Sequence, residues 1–239
     1  MLPKLDSPRY EIDLPIAKKK FQFRPFLIKE QKILLVANES EDPEFLVQNL
    51  KQIIKNCCLN DIDVDSLSSL DIEYIFLNLR ARSVGEQIET NYRCENKVDG
   101  ESCKNLMNVS IDLLDIDTDF KNYKDIIQIT ENIGIKMKYP DFKTIQTLTE
   151  NNKDVVEKTF DAIYQCIEYI YDNDNFYYPK EVQKSDIVDF IESLTMDQFK
   201  NLEEYFYNLP KLKKELEVIC SKCGYTHTIK LEGLNNFLE

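Results

Sequence analysis

Glycine and histidine are scarce in this chain: 239 residues contain five glycines and one histidine. So few glycines argue against a glycine-rich phosphate loop and against many tight hairpins. A single histidine argues against multi-histidine metal sites and histidine-dependent triads, and neither H-E-x-x-H nor G-x-S-x-G occurs. Long apolar runs are missing too. The longest, Ile33-Leu34-Leu35-Val36-Ala37, is far too short to span a membrane. Met1 to Asp6 lack the apolar core of a signal peptide, so the chain is expected in a reducing cytoplasm. Positive charge is also in deficit: Lys and Arg total 30 against 43 Asp and Glu, a net charge of -13. That field repels nucleic acid and anionic membranes, so neither is expected as a partner. Lys18-Lys19-Lys20 is the one basic run and reads as a solvated turn. Many carboxylates could form an acid–base pair, but no pattern selects one, and no small-molecule substrate is implied.

What is present is a folding chain. Apolar residues make up 43%, with 13 Tyr and 13 Phe, enough for a substantial core. Seven cysteines in a reducing compartment are thiols or metal ligands, and an odd number cannot all pair within one chain.

Residues 1–26 read as an extended arm, punctuated by Pro3, Pro8, Pro15 and Pro25. Tyr10, Ile12 and Leu14, then Phe21 and Phe23, alternate at the strand period. Such an arm packs on its own body or adds a strand to a partner. Residues 26–37 predict a β-hairpin, with Lys29-Glu30-Gln31-Lys32 as its turn. Asp42-Pro43 opens a helix that presents Leu46, Leu50, Ile53, Ile54 and Cys57 on one face, which makes Cys57 a core residue. Asp61, Asp63 and Asp65 begin like a calcium loop but lack its glycine and its closing glutamate, so they predict a capping loop. The next helix runs from about Leu67 to Arg82, with Leu67, Leu70, Tyr74, Phe76 and Leu77 available to a core, and Gly85 stops it. Strands are expected from Ile88 into Cys94, from Met107 to Leu113, over 126–129 and over 133–139. From Pro140 the pattern turns helical. One long amphipathic face runs through Val155, Val156, Phe160, Ile163, Ile167 and Ile170, with Cys166 as packing. A helix capped by Ser185 follows, then one with a Thr195–Gln198 capping box. Leu212 to Val218 form a strand into Cys220, Ile229 and Leu231 continue beyond, and 234–238 predict a last helical turn.

Cys220-Ser221-Lys222-Cys223-Gly224 has the C-x-x-C-G form of a zinc knuckle, whose tight turn aims two thiolates at one ion. A thioredoxin-like pair would open a helix after a strand, whereas these cysteines lie between two strands. Cys94 and Cys103 also lie between strands, with eight residues between them, which completes the two-hairpin layout of a zinc ribbon. The expected metal ligands are therefore Cys94, Cys103, Cys220 and Cys223, around one structural zinc with no position open for water. His227 is an alternative ligand, although its alternation with Ile229 and Leu231 places it on a strand face.

The stretch Asp71-Ile72-Glu73-Tyr74-Ile75-Phe76-Leu77-Asn78-Leu79-Arg80-Ala81-Arg82-Ser83-Val84-Gly85-Glu86, followed by a strand and a cysteine, resembles the baseplate hub protein family of T4-like contractile-tailed bacteriophages. Arg24-Pro25-Phe26-Leu27, Lys32-Ile33-Leu34-Leu35 and Ile133-Gly134-Ile135-Lys136-Met137-Lys138-Tyr139-Pro140 share the resemblance. It implies a non-enzymatic hub component or hub assembly factor whose partners are other phage baseplate hub proteins. Such a protein would act in the host cytoplasm during assembly or in the tail baseplate of the virion. The competing reading is a zinc-ribbon adaptor in transcription or nucleic-acid processing, and a cysteine- or carboxylate-dependent enzyme is the third. The expected fold is α+β: an N-terminal arm, hairpin and helices (1–85), a zinc-ribbon-like β module (86–139 and 211–239) closed by the C-terminus, and a helical insertion (140–210).

Overall fold

The computed structural model describes residues 5–40, 42–149 and 155–234. In chain order the elements are β1 (Tyr10–Asp13), β2 (Lys20–Phe23), α1 (Ile28–Asn38), α2 (Pro43–Cys57), α3 (Ser69–Val84), β3 (Gln87–Arg93), β4 (Lys97–Val98), β5 (Glu101–Ser102), β6 (Leu106–Asp112) and β7 (Asp117–Thr118). There follow β8 (Ile126–Gln128), β9 (Ile133–Met137), α4 (Phe142–Thr149), α5 (Val155–Cys166), β10 (Ile167–Asp172), β11 (Asn175–Tyr177), α6 (Lys184–Glu192), α7 (Met196–Tyr207), β12 (Leu212–Ile219) and β13 (Thr226–Glu232). This is the α+β class expected. Among the described residues no helix is long and apolar enough to cross a membrane. The chain divides into two compact units, residues 1–119 with 211–239, and residues 120–210.

In the first unit the proline-rich arm folds back on itself. β1 and β2 pair antiparallel, from Tyr10 opposite Phe23 to Asp13 opposite Lys20. Leu14, Phe21 and Phe23 are fully buried, each contributing about 1.5–3 kcal/mol by leaving water. The turn between the strands is clamped by Asp71, a buried carboxylate in the first turn of α3. It accepts the backbone N–H groups of Ile16 (2.8 Å) and Ala17 (3.1 Å) and the hydroxyl of Ser68 (2.9 Å). Burial pushes the Asp71 carboxyl above the usual carboxylate range, and these donors pull it part of the way back.

The hairpin expected over 26–37 is instead the helix α1. Its Ile-Leu-Leu-Val run suits a strand, but Glu30 decides the outcome. At the third helical position the Glu30 carboxylate accepts the N–H of Leu27 (2.9 Å), half of a capping box. It is fully buried and ion-paired with Arg24 at 3.0 Å, and that guanidinium also donates to the carbonyls of Pro25 and Asn56. A buried carboxylate left without this partner would be strongly destabilising, so the pair fixes the local conformation.

α2 begins as expected, with the Asp42 carboxylate accepting the N–H of Glu44 at 2.9 Å. The aspartates before α3 do capping work: Asp63 caps a single 3₁₀ turn over Val64–Ser66, and Asp65 pairs with Lys55 at 2.5 Å. Ser68 caps α3 and Gly85 ends it at φ +145°. α3 is buried on more than one face: Leu70, Ile72, Ile75, Phe76, Leu77 and Leu79 are all at or near zero exposure. The amphipathic reading named Leu70, Phe76 and Leu77 but missed the second side, because α3 is enclosed by its own unit.

The C-terminal strands return to this unit. β3 pairs β6 from Gln87 opposite Asp112 to Arg93 opposite Leu106. β12 pairs β13 from Lys213 opposite Glu232 to Ile219 opposite Thr226, and β7 adds to the free edge of β12. The terminal turn expected over 234–238 lies, beyond Leu234, outside the described residues.

The second unit is a four-stranded antiparallel sheet in the order β11-β10-β9-β8. Ile127, Ile135, Met137, Ile167 and Ile170 on one face pack with Ile163, Cys166, Ile187, Ile191, Leu202 and Tyr205 from the helices. The strand pair expected over 126–139 forms. The long helix expected to reach Ile170 stops at Cys166, and Ile167 and Ile170 belong to β10. Their helical spacing is incidental, since Ile-Glu-Tyr-Ile-Tyr is β-prone and β9 offers it an edge. The capping box at Thr195 and Gln198 is present, while the preceding helix begins after Gln183, with no side-chain cap, so Ser185 lies inside it and does not cap it.

Three outcomes follow from this packing. Asp71→Ala strands two backbone donors, so it should lower unfolding free energy by about 2–4 kcal/mol in a urea titration. In Gly134→Ala, the new Cβ would stand 2.3 Å from the Tyr171 hydroxyl, and unit 120–210 should lose amide-exchange protection before the rest of the chain. Burial pushes the Glu73 carboxyl up to about 7, against one hydrogen bond from the Leu234 N–H. A raised carboxyl favours folding fully below its unfolded value of 4.5 and loses that advantage as pH rises through about 7. The melting temperature of Glu73→Gln relative to the parent should therefore climb across that window; a flat difference would contradict it.

Candidate metal centre

Two turns face each other at the ends of the paired ribbons. Cys94 follows β3 and Cys103 precedes β6, while Cys220 and Cys223 lie in the turn between β12 and β13. The Cys94 and Cys223 sulfurs are 3.7 Å apart, Cys103 and Cys220 3.8 Å, and all four lie within 4.8 Å of one another. Four sulfurs placed about 2.3 Å from one ion at tetrahedral corners stand about 3.8 Å apart. Cys94, Cys103 and Cys220 are buried, Cys223 is half-buried, and none of the seven cysteines is in a disulfide.

The long gap between Cys94 and Cys103 is closed by a hairpin of its own. β4 and β5 pair Lys97 with Ser102 and Val98 with Glu101. Asp99 and Gly100 between them both take positive φ, +52° and +87°, which is the two-residue turn that suits a hairpin. The insert therefore projects outward and leaves its two cysteines together. Each turn is tied by its backbone: Cys103 N–H donates to the Asn96 carbonyl, Cys94 N–H to the Asn105 carbonyl, Gly224 N–H to the Cys220 carbonyl and Cys220 N–H to the Tyr225 carbonyl, all at 2.8–2.9 Å. Gly224, at φ +71°, takes the left-handed conformation that the knuckle needs.

Around the sulfurs stands a layer of polar groups: His227, expected as an alternative ligand, and two asparagines that nothing in the sequence singles out at first sight. The Asn96 amide lies 3.6 Å from the Cys223 sulfur, and the Asn105 amide 3.5 Å from that of Cys220. Both asparagines sit two residues after a cysteine, in Cys94-Glu95-Asn96 and Cys103-Lys104-Asn105, and this echoed spacing was the available signal. His227 Nε2 lies 3.1 Å from the Cys94 sulfur, with the ring between Tyr92 and Tyr225. It is therefore not in the mutually close set of four but beside it. A thiolate has no proton to give, so with Cys94 ionised His227 is the donor.

The surroundings act unequally on the thiols. Burial pushes Cys94 up to about 12. Burial also opposes ionisation of Cys220, but the N–H groups of Cys223 and Lys222 outweigh it and bring that thiol down to about 6. The N–H of Tyr225, then the Asn96 amide, lower Cys223. A cation among the four would favour the thiolate form of all of them. The other cysteines lie elsewhere. Cys57 is a core thiol raised to about 11 by burial, Cys58 bonds to the Asn60 carbonyl, and Cys166 is raised to about 12 by burial. The cluster could hold a metal ion, and as a closed four-sulfur set it offers no free ligand position.

The chain belongs to the T4 bacteriophage base plate protein family, which it matches over residues 7–239. It is 23% identical over 231 residues to the baseplate hub assembly protein gp26 of Enterobacteria phage T4, covering 96% of this chain and 98% of that one. No solved structure matches. The resemblance read from Asp71 to Glu86 is thereby confirmed.

The Asp99–Gly100 turn gives a direct check on the site's construction. In Gly100→Ala a Cβ meets nothing within 4 Å, so only backbone strain is added. The expected loss is about 1 kcal/mol of stability. Cobalt titration, followed by sulfur-to-metal absorption, should show weaker binding in the variant than in the parent.

Proposed function

We propose that the protein acts in assembling the tail baseplate hub, as hub component or assembly factor, through non-enzymatic contacts with other phage baseplate hub proteins. It would do so in the host cytoplasm while tails are built. The observation that carries this reading is end-to-end similarity to a baseplate hub assembly protein, with both chains covered almost completely. The chemistry agrees with it, since the one group of potential metal ligands found close together among the described residues is a closed set of thiols suited to structure and not to turnover. The same similarity weighs against a transcription adaptor, as does the charge of -13.

We further propose that Cys94, Cys103, Cys220 and Cys223 hold one structural zinc. The sulfur spacing fits a tetrahedral ion, and an all-thiolate set suits zinc among the common divalent metals. Zinc would staple two ribbons far apart in sequence, and apparent zinc binding free energies in small fingers are about 10–16 kcal/mol. In this arrangement His227, Asn96 and Asn105 disperse the negative charge of the thiolates.

Protein purified reduced and without chelator should carry one zinc per chain by elemental analysis. Cys223→Ser should lose the metal and melt early, and Cys166→Ser should keep it. His227→Phe should keep zinc yet yield it faster to a chelator. For the assembly role, affinity purification of the tagged chain from infected cells should recover baseplate hub proteins. Recovery of RNA polymerase or replication proteins in their place would overturn it.

A further inference from the structure

The sheet of the second unit has two faces, and among the described residues the helical core cluster lies on only one. The other face carries two cross-strand rows. In the first, Ile126 on β8 stands opposite Lys136 on β9, and Lys136 opposite Tyr169 on β10. In the second, Gln128, Gly134, Tyr171 and Phe176 follow one another across all four strands. The Tyr169 ring meets Phe176 edge-on at 5.3 Å and Tyr178 at 5.7 Å. Tyr171 lies over Gly134 and reaches the side-chain oxygen of Gln128 at 3.2 Å. None of these aromatic residues belongs to the core cluster on the helical side. A solvent-facing antiparallel sheet normally alternates to polar residues. Here Phe176 is 52% exposed and Ile126 50% exposed, with tyrosines between them. An aromatic layer of this kind is what protein interfaces are enriched in.

Charge indicates what would cover it. Residues 120–210 contain no arginine, and acidic side chains outnumber lysines there. Glu168, Asp174 and Glu181, on and beside β10 and β11, are exposed, and Lys136 in the first row is already paired with Asp125 at 2.6 Å. Aromatic rings attract cations through their negative faces. The face already shows this with a cation of its own chain, since Lys180 Nζ lies 5.8 Å over the Tyr178 ring.

We infer that the uncovered aromatic face of the β8–β11 sheet is a docking surface for an arginine- or lysine-bearing segment of a partner protein. Its cations stack on the tyrosines and pair with the surrounding carboxylates, while its apolar side chains cover Phe176 and Ile126. This rests on the reading of the chain as a protein-binding factor, but on neither the metal nor the identity of the hub partners.

The test is selection of an mRNA-displayed library of short random peptides against the full chain. Selected peptides should be rich in Arg and Lys. Their affinity should fall about tenfold or more with Phe176→Ser and, on the opposite edge strand, with Ile126→Ser. It should be unchanged with Tyr207→Ser, an exposed aromatic on α7. Amide exchange of the free variants checks that both stay folded. The inference is overturned if no peptide is retained, if those retained are acidic or purely apolar, or if Tyr207→Ser costs as much. It is equally overturned if the chain dimerises with concentration and Phe176→Ser abolishes the dimer, because the occupant is then a second copy. If hub proteins co-purify undiminished with a Phe176→Ser chain from infected cells, the hub role stands and this face is not its contact.

Discussion

Four sulfur atoms meet where the two ribbons of the first unit come together. Cys94 and Cys223 are separated by 129 positions and Cys103 and Cys220 by 117, with the whole second unit between them. Bringing such distant segments together costs loop-closure entropy, and only a little more for a long loop than a short one. An ion held by all four would offset that cost at one point. The ribbons themselves supply part of the closure, through β12–β13 pairing and the β7 strand beside β12. The N-terminal side is closed differently, by Asp71 holding the turn of the arm and by Glu30 paired with Arg24. Buried carboxylates thus do for the arm and α1 what an ion held by the thiols would do for the ribbons.

The convergence of the four cysteines is the most legible feature in the sequence, because thiol chemistry leaves few choices. One histidine and seven cysteines, four of them in two pairs (94 and 103, 220 and 223), restrict the possible ligand sets, and strand alternation on both sides places those pairs in turns. What stayed hidden was how Cys94 could approach Cys103. The answer is written as Asp99-Gly100, a strong two-residue hairpin signal. The donors Asn96 and Asn105 also escape a sequence reading, since their partners are 127 and 115 positions away and no local pattern states a contact.

The elements that were misread share one cause. The 28–38 segment has the composition of a strand, and Ile163, Ile167 and Ile170 have the spacing of a helix, so local preference pointed the wrong way in both. Tertiary partners decided: Arg24 for α1, and the β9 edge for β10. α3 shows the same limit differently. Its enclosure on several sides cannot be read from a pattern that assumes one wet face. The aromatic sheet face was equally invisible, because its members come from four strands separated in sequence and only the register aligns them.

Metal-edge X-ray absorption of the purified, reduced protein addresses the closure of this unit most directly. Four sulfur neighbours at about 2.3 Å and no nitrogen or oxygen shell are expected around zinc. A shell containing nitrogen would put His227 among the ligands in place of a cysteine. Protein that is folded at full stability with no bound metal would contradict the stapling role altogether.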